Sequence, residues 1–330
     1  MPPPLLEVQH LSKSFPVKKG AIFRRTFGKI HAVSDVSFRI ESNETVGLVG
    51  ESGSGKTTIG RIVAGLTDPS SGSVLFEGKD ISKMTKSEVI NFRQRIGIVF
   101  QDPLASLNPR MRIAQVISEP LDIAQKGSKE DRQRRVEELL SLVGLAKNDA
   151  TKRPNQFSGG QLQRIAIARA LALGPSLIVA DEPVSSLDVS IQAKILNLMR
   201  DVQKEFGLAF LLISHDLGAV RHVTDRAIVL YLGFVMEQSR TDDLFSSARH
   251  PYTKALLSAV LVPDVEKLKK SPPTLLRGEI PSPINLPAGC KFNTRCPYVQ
   301  DRCRVEEPQL EKVLTPEHLV SCFYWNELSA

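Results

Sequence analysis

The clearest chemistry in this chain sits in one continuous stretch, Gly50-Glu51-Ser52-Gly53-Ser54-Gly55-Lys56-Thr57-Thr58. It fits the pattern G-x-x-x-x-G-K-[ST], in which glycines let backbone N–H groups close around the β- and γ-phosphates of a nucleotide. Lys56 is placed to reach the β/γ oxygens, and the Thr57 hydroxyl to ligate Mg²⁺. The pattern carries this meaning only between a strand and a helix. Thr45 to Val49 before it is an apolar run of strand length, and Ile59 to Leu66 after it reads as a helix. The helix N-terminus then adds partial positive charge at the loop. A glycine-rich turn ending in a surface lysine is the competing reading, and the flanking pattern disfavours it.

A second group lies at the ends of other apolar runs. Leu177-Ile178-Val179-Ala180 runs into Asp181-Glu182-Pro183. A carboxylate so placed is costly unless compensated, and Mg²⁺ shared with Thr57 is the natural compensation. Glu182, one residue on, can point elsewhere and orient an attacking water; phosphoryl transfer needs little beyond such positioning and charge stabilisation. Leu208 to Ile213 ends in Ser214-His215-Asp216. A lone histidine is ordinarily structural, but at a strand end in this set His215 is read as a donor to the γ-phosphate. Ile96 to Phe100 ends in Gln101, whose amide has both donor and acceptor and can bridge Mg²⁺, water and a mobile segment.

Ser158-Gly159-Gly160-Gln161 opens a further helix and makes a second anion-binding helix start. Taken alone it is only an N-capped helix. One nucleotide seldom needs two phosphate cradles in one chain, whereas a dimer does. Each chain's second cradle would cap the nucleotide held by the other, with hydrolysis tied to closure.

The elements that must hold these residues follow from hydrophobic period. Leu5 to Val8, His31 to Glu41 and Gly72 to Gly78 read as strand, and Ile113 to Leu145 as mostly helical, with Arg132 to Leu142 the clearest amphipathic piece. Ala227 to Leu232 is the last clear strand. Apolar strands alternating with helices, each ending in polar residues, indicate a parallel α/β sheet with ligands at the carboxyl ends of its strands. A basic insert, Lys18 to Lys29, reads as a solvated hairpin excursion, with contact to lipid head groups the alternative. Composition shifts near residue 246, and from Lys267 prolines crowd the chain and regular period fades.

Length and composition set the outer bounds. At 330 residues, with 42% hydrophobic and 24% charged side chains, this is an ordinary globular composition. No apolar run approaches the roughly 18–20 residues of a membrane span, and Met1-Pro2-Pro3-Pro4 lacks the layout of a secretion signal, so a cytosolic location is expected. The net charge of +7 permits contact with nucleic acid or an anionic membrane surface but is ordinarily a matter of solubility. All four cysteines lie after residue 289, spaced C-x5-C-x6-C-x18-C, which is neither a usual zinc module nor a ferredoxin run. A reducing cytosol argues against two disulfides. Four thiols in a proline-rich tail still suggest a staple.

Taken together, these residues resemble an ABC-type ATPase. The Walker A loop is Gly50 to Thr57 and the Walker B strand and base run from Leu177 to Glu182. The signature motif is Phe157-Ser158-Gly159-Gly160-Gln161, with Phe where many members have Leu; Gln101 is the Q-loop residue, Ser186-Leu187-Asp188 the D-loop, and His215 the switch histidine. Phe15 matches the aromatic that stacks on adenine. Narrower features resemble the dipeptide/oligopeptide importer ATPases: Gln101-Asp102-Pro103, Ser106 to Arg110, His250-Pro251-Tyr252-Thr253, Gly278 to Pro283, and Gly289 to Pro297.

The resemblance implies a P-loop NTPase cassette over residues 1–245, with a RecA-like parallel sheet core, an antiparallel β subdomain and a helical subdomain at about 102–172. A loop-rich, cysteine-containing extension follows over 246–330. It also implies ATP and Mg²⁺ as cofactors, held by Ser52, Gly53, Ser54, Gly55, Lys56, Thr57 and Thr58, with Thr57, Gln101 and Asp181 at the metal and Glu182, His215 and Gln101 in catalysis. Ser158, Gly159, Gly160, Gln161 and Asp188 would serve the partner's nucleotide. The expected partners are two membrane permease subunits, a second ATPase chain (the same or a related one) and, through the complex, an extracytoplasmic binding protein. The expected place is the cytoplasmic face of the cell membrane. Related ATPases serve peptides, nickel, glutathione or cationic peptides. Similar tails hold a [4Fe-4S] cluster, which is carried over to Cys290, Cys296, Cys303 and Cys322, with zinc or unligated thiols left open. A soluble ABC ATPase acting on nucleic acid is the rival class, but its coiled-coil insertions or paired cassettes are missing here. A phosphate-loop kinase leaves Ser158 to Gln161 and His215 without a role.

Overall fold

A computed structural model describes residues 3–19, 25–259, 276 and 278–329. The chain begins with a long hairpin, β1 (Leu6–Lys19) and β2 (Arg25–Ile40), followed by β3 (Thr45–Val49) and helix α1 (Lys56–Val63). After β4 (Ser71–Phe76), β5 (Lys79–Asp80) and α2 (Lys86–Arg95) comes β6 (Ile96–Val99). Four helices intervene before the next strand: α3 (Pro103–Ser106), α4 (Ile113–Ile123), α5 (Lys129–Leu142) and α6 (Gly159–Leu171). Then β7 (Leu177–Asp181), α7 (Val189–Phe206), β8 (Ala209–Ser214), α8 (Leu217–Val223) and β9 (Arg226–Tyr231) complete the alternation. The chain closes with β10 (Phe234–Arg240), α9 (Thr241–Ser247), α10 (Pro251–Ser258), α11 (Asp301–Val305), β11 (Glu311–Lys312) and β12 (Leu319–Val320).

These strands form two sheets. The first, order β2-β1-β4-β5, is antiparallel. The second has the order β11-β12-β10-β9-β3-β8-β7-β6, with β9, β3, β8, β7 and β6 mutually parallel. Its central strands are apolar except at their ends because both faces are covered, as parallel crossovers require; every residue of β3, β8 and β9 is buried. One apolar core lies on the side of α1 and the antiparallel sheet, around Leu48, Ile59 and Ile213. The other joins the sheet to α4, α5 and α6 through residues such as Ile117, Leu139 and Ile165. The amphipathic stretch near Arg132 lies in α5, started by a capping box. Ser128 Oγ accepts from the Asp131 N–H at 3.1 Å, and the Asp131 carboxylate accepts from the Ser128 N–H at 3.1 Å.

Two readings change with the structure. The run ending at Leu232 is not the last strand. Leu232 and Gly233 both take positive φ, 49° and 85°, and the chain turns straight back into antiparallel β10. The period was hidden because Glu237, Gln238 and Ser239 are polar yet buried. Glu237 is satisfied there, accepting from the Arg249 and His250 N–H groups at 2.7 and 2.9 Å and pairing with His318 Nε2 at 2.8 Å. The second change is that β12, from the tail, adds to β10 and so joins the main sheet. The arms of the basic insert continue the β1–β2 ladder as far as Lys19 opposite Arg25. Its tip, residues 20–24, and the start of the proline-rich stretch from Lys267 lie outside the described residues. No helix among the described residues is long and apolar enough to cross a membrane.

His250 caps α10, its Nδ1 accepting from the Tyr252 N–H at 3.0 Å. Full burial holds it down to about 4, against an ordinary 6.5, despite the nearby Glu237 carboxylate. The unfolded chain therefore takes up this proton first, so stability should fall as pH drops from about 6.5 towards 4, by up to about 3 kcal/mol. His250→Asn, which keeps a capping acceptor, should flatten that part of a plot of denaturation midpoint against pH. An unchanged slope would remove His250 as its cause.

Candidate functional site

The parallel sheet delivers the loop and its partners to one edge. Gly50 leaves β3 at φ 152° under the chain of Leu230, where an added Cβ would stand 2.2 Å from the carbonyl oxygen. At Gly55, φ 100°, a Cβ would meet the Ala32 carbonyl oxygen at 2.2 Å. Both positions accept only glycine. Between them the loop wraps the Lys56 ammonium, which donates to the Gly50 and Glu51 carbonyls at 2.7 and 2.9 Å and to Ser54 Oγ at 3.4 Å. Burial pulls Lys56 below the usual lysine value, and the carboxylates of Glu182, Asp181 and Glu51 pull it back. Its cationic form thus depends on a ring of acceptors that phosphate oxygens can replace.

Thr57 Oγ1 donates to Asp181 Oδ1 at 3.1 Å, joining the helix start to the end of β7. Burial raises the Asp181 carboxyl above its ordinary value, opposed by that hydrogen bond and helped by the Glu182 charge. This is the electrostatic condition in which a bound divalent cation is favoured. Glu182 has φ 46°, unusual outside glycine, and its N–H is tied to the Ile213 carbonyl at 2.9 Å. Its side chain meets partners other than the Thr57 that Asp181 meets. Glu182 Oε2 accepts from Gln101 Nε2 at 2.8 Å, and Oε1 lies 3.1 Å from His215 Nδ1. Backbone strain at a carboxylate held between two polar partners is the pattern of a positioned group.

One cleft gathers most of the expected residues. Ser52 to Thr58, Gln101, Glu182 and His215 line it, with Phe15 at its rim, 40% exposed, and Lys13 Nζ 5.1 Å from the Phe15 ring centre. Gln101 contacts Glu182 rather than the Thr57–Asp181 pair. Ser158, Gly159, Gly160, Gln161 and Asp188 do not line it. There Ser158 and Gln161 form a capping box, the Gln161 side chain accepting from the Ser158 N–H at 3.0 Å. Ser158, Gly159, Asp188 and Val189 are all exposed, and Gly160 packs so closely on Ile191 that a Cβ would come within 2.5 Å. The two helix starts therefore sit side by side, facing outward.

Sequence reasoning missed the tail's part in the cleft. Leu256, Ile280 and Pro283 complete its wall, and the His31 N–H donates to the Pro283 carbonyl at 3.1 Å. It also missed Arg295, whose guanidinium grips the Glu51 carboxylate at 2.6 and 3.0 Å. No local signal in the sequence marks it, since Arg295 lies in a stretch without period and its partner is 244 positions upstream.

The four cysteines come together in the tail. All four are free thiols and line one small pocket with His250 and Phe292. Burial pushes Cys290, Cys296 and Cys322 up to about 11, with the neighbouring thiols adding to the effect. Among the described residues, no three His, Cys, Asp or Glu side chains are gathered to hold a metal ion. The donor set suits a four-thiolate centre, but its geometry does not, so the iron–sulfur and zinc expectations are not supported.

A strand–loop–helix phosphate cradle, facing acidic and amide groups on neighbouring parallel strand ends, defines a nucleotide-binding cassette. The chain belongs to the ABC transporter family of ATP-binding proteins. The family description "ABC transporter" matches residues 33–185, and "Oligopeptide/dipeptide transporter, C-terminal region" matches 236–303. Over 323 residues the chain is 46% identical to the oligopeptide transport ATP-binding protein AppF of Bacillus subtilis, covering 98% of each. It is 49% identical over 306 residues to the probable peptide ABC transporter ATP-binding protein y4tS of Sinorhizobium fredii, covering 93% of this chain and 86% of the relative. Among solved structures, the dimeric post-hydrolysis cassette MJ0796 with ADP and Pi superposes with a TM-score of 0.63 at 31% identity, covering 72% of this chain and 98% of that one. For cbiO1 of Clostridium perfringens, part of the cbiONQ transporter complex, the TM-score is 0.65 at 26% identity, covering 81% and 98%. The chain is accordingly an ATPase of the ABC type.

Proposed function

We propose that this ATPase powers import of peptides across the cell membrane, acting as one jaw of a two-chain clamp seated on two permease subunits at the cytoplasmic face. The observation that carries the reading is the convergence of Lys56, Thr57, Glu182, Gln101 and His215 on one cleft, with Asp181 accepting from Thr57 behind it. In this reading Lys56 and the N–H groups of Ser52 to Thr58 hold phosphate, and Phe15 packs against the adenine. Thr57 and Asp181 would hold Mg²⁺, joined by Gln101 once its amide leaves Glu182, and the bound ion would neutralise developing phosphate charge. Glu182 orients the attacking water, and His215 donates to the γ-phosphate. The outward-facing Ser158, Gly159, Gly160, Gln161 and Asp188 supply the missing wall of the partner's site; the partner is a second copy or a related chain. The dimeric form of the MJ0796 cassette supports this arrangement.

Peptide as the solute is supported by the relatives' names and by the matching tail. Docking on the permease is supported by an apolar groove beside Gln101, lined by Ile90, Phe100 and Ile123. For the cysteines, a [4Fe-4S] centre or zinc is carried only by the four-thiol donor set, and it would require the thiols to close together and lose protons that burial retains. Iron and sulfide assays on anaerobically purified protein decide that point.

The functional test is ATPase activity of the chain reconstituted with permease subunits and binding protein. Peptide-loaded binding protein should stimulate it severalfold. Stimulation by DNA or RNA instead would overturn the importer reading, and stimulation only by loaded nickel or glutathione carriers would replace the solute.

A further inference from the structure

We propose that Arg295, in the cysteine-bearing tail, is a positioning residue for the phosphate loop, acting through Glu51. The proposal rests on the reading of Gly50 to Thr58 as the nucleotide's phosphate cradle. Glu51 is the second residue of that loop and is held from three sides. Its carboxylate takes both Arg295 Nη atoms, at 2.6 and 3.0 Å, in a fork-to-fork pair. Its N–H donates to the Tyr252 hydroxyl at 2.9 Å. Its carbonyl accepts from Lys56 Nζ at 2.9 Å. A line of direct contacts thus runs from the tail through Glu51 to the lysine that meets the phosphates.

The pair is built to be rigid. The Arg295 side chain is only 6% exposed, and the Arg295 guanidinium lies over the Tyr231 ring, 5.8 Å from its centre. Tyr231 packs in turn against Tyr252 and Phe292, with ring centres 4.8 and 5.3 Å away. The Arg295 and Cys296 N–H groups both donate to the Phe292 carbonyl at 3.0 Å, which fixes the turn that presents the guanidinium. A bidentate pair with a buried guanidinium, its carboxylate 25% exposed, limits Glu51 more tightly than a fully exposed bridge would. If the loop could adopt its phosphate-accepting shape without this pair, the contact would be a staple between tail and cassette and nothing more.

The two roles separate by experiment. Fluorescent Mg-nucleotide binding, steady-state kinetics and melting temperature are measured for wild type, Arg295→Ala, Arg295→Lys, Glu51→Gln and the Arg295→Ala/Glu51→Gln double variant. Positioning predicts that Arg295→Ala weakens nucleotide affinity and raises KM by about tenfold while kcat changes less. Arg295→Lys, which keeps charge but loses the fork, should recover only part of that loss. The double variant should be no worse than either single change, because both break one contact. Loss of melting temperature with Kd and KM unchanged in Arg295→Ala and Glu51→Gln would overturn the proposal and leave the staple. Wild-type protein that binds no nucleotide would instead overturn the phosphate-loop reading, and this inference with it.

Discussion

Glu182→Gln should bind Mg-ATP about as tightly as wild type and hydrolyse it at least about a hundredfold more slowly. The change preserves size and both hydrogen-bond partners. Gln101 Nε2 and His215 Nδ1, now 2.8 and 3.1 Å from the carboxylate oxygens, can still meet an amide. What disappears is the negative charge that orients a water and accepts its developing proton. Lys56 loses the largest of the carboxylate charges that support its cationic form, but keeps those of Asp181 and Glu51 and its acceptors on Gly50, Glu51 and Ser54, so it still serves as a phosphate ligand. Binding measured with fluorescent nucleotide and turnover measured as phosphate release should therefore part company. Retained hydrolysis would show that Glu182 is not the base and would move attention to His215.

Gly159→Asp should leave the folded chain and its own nucleotide affinity within about twofold of wild type, yet remove turnover by about a hundredfold or more. The site tolerates a side chain. Gly159 is exposed at the first turn of α6, and a Cβ there meets only the Leu187 Cδ2 methyl at 3.3 Å. An aspartate at a helix start is mildly favourable, worth a few tenths of a kcal/mol to about 1. Stability should thus hold or rise slightly. The damage falls on the partner, because a carboxylate would now occupy the place meant for its γ-phosphate. Sedimentation with ATP should show lost pairing, and full activity in this variant would mean that the second helix start is only a cap.

Legibility in the sequence followed contact range. Thr45 to Val49, Leu177 to Ala180 and Leu208 to Ile213 announced themselves because strands buried on both faces are continuous apolar runs. Their polar ends came with them, so the approach of Gln101, Glu182 and His215 to the loop needed only the rule that parallel strands present their carboxyl ends together. β10 escaped because Glu237, Gln238 and Ser239 look like a loop; Glu237 is buried there only with partners from Arg249, His250 and His318, which the local sequence does not show. The tail's entry into the cleft escaped for the same reason. Ile280, Pro283 and Arg295 lie in a stretch with no helical or strand period, and what they touch is decided by chain far upstream. The capping box at Ser158 was legible as a helix start, whereas its adjacency to Ile191 was not.

The Glu51–Arg295 pair joins residues 244 positions apart. During synthesis at about 5–20 residues per second, the loop leaves the ribosome tens of seconds before the arginine that grips it exists. A product cut short anywhere in that interval carries the whole phosphate-loop motif without its outer clasp, and without β12 on the edge of the main sheet. Completion of the chain is therefore written into the cleft itself. A prematurely ended copy would be marked by a loose loop and a bare strand edge, and would enter the clamp at a disadvantage against the finished one.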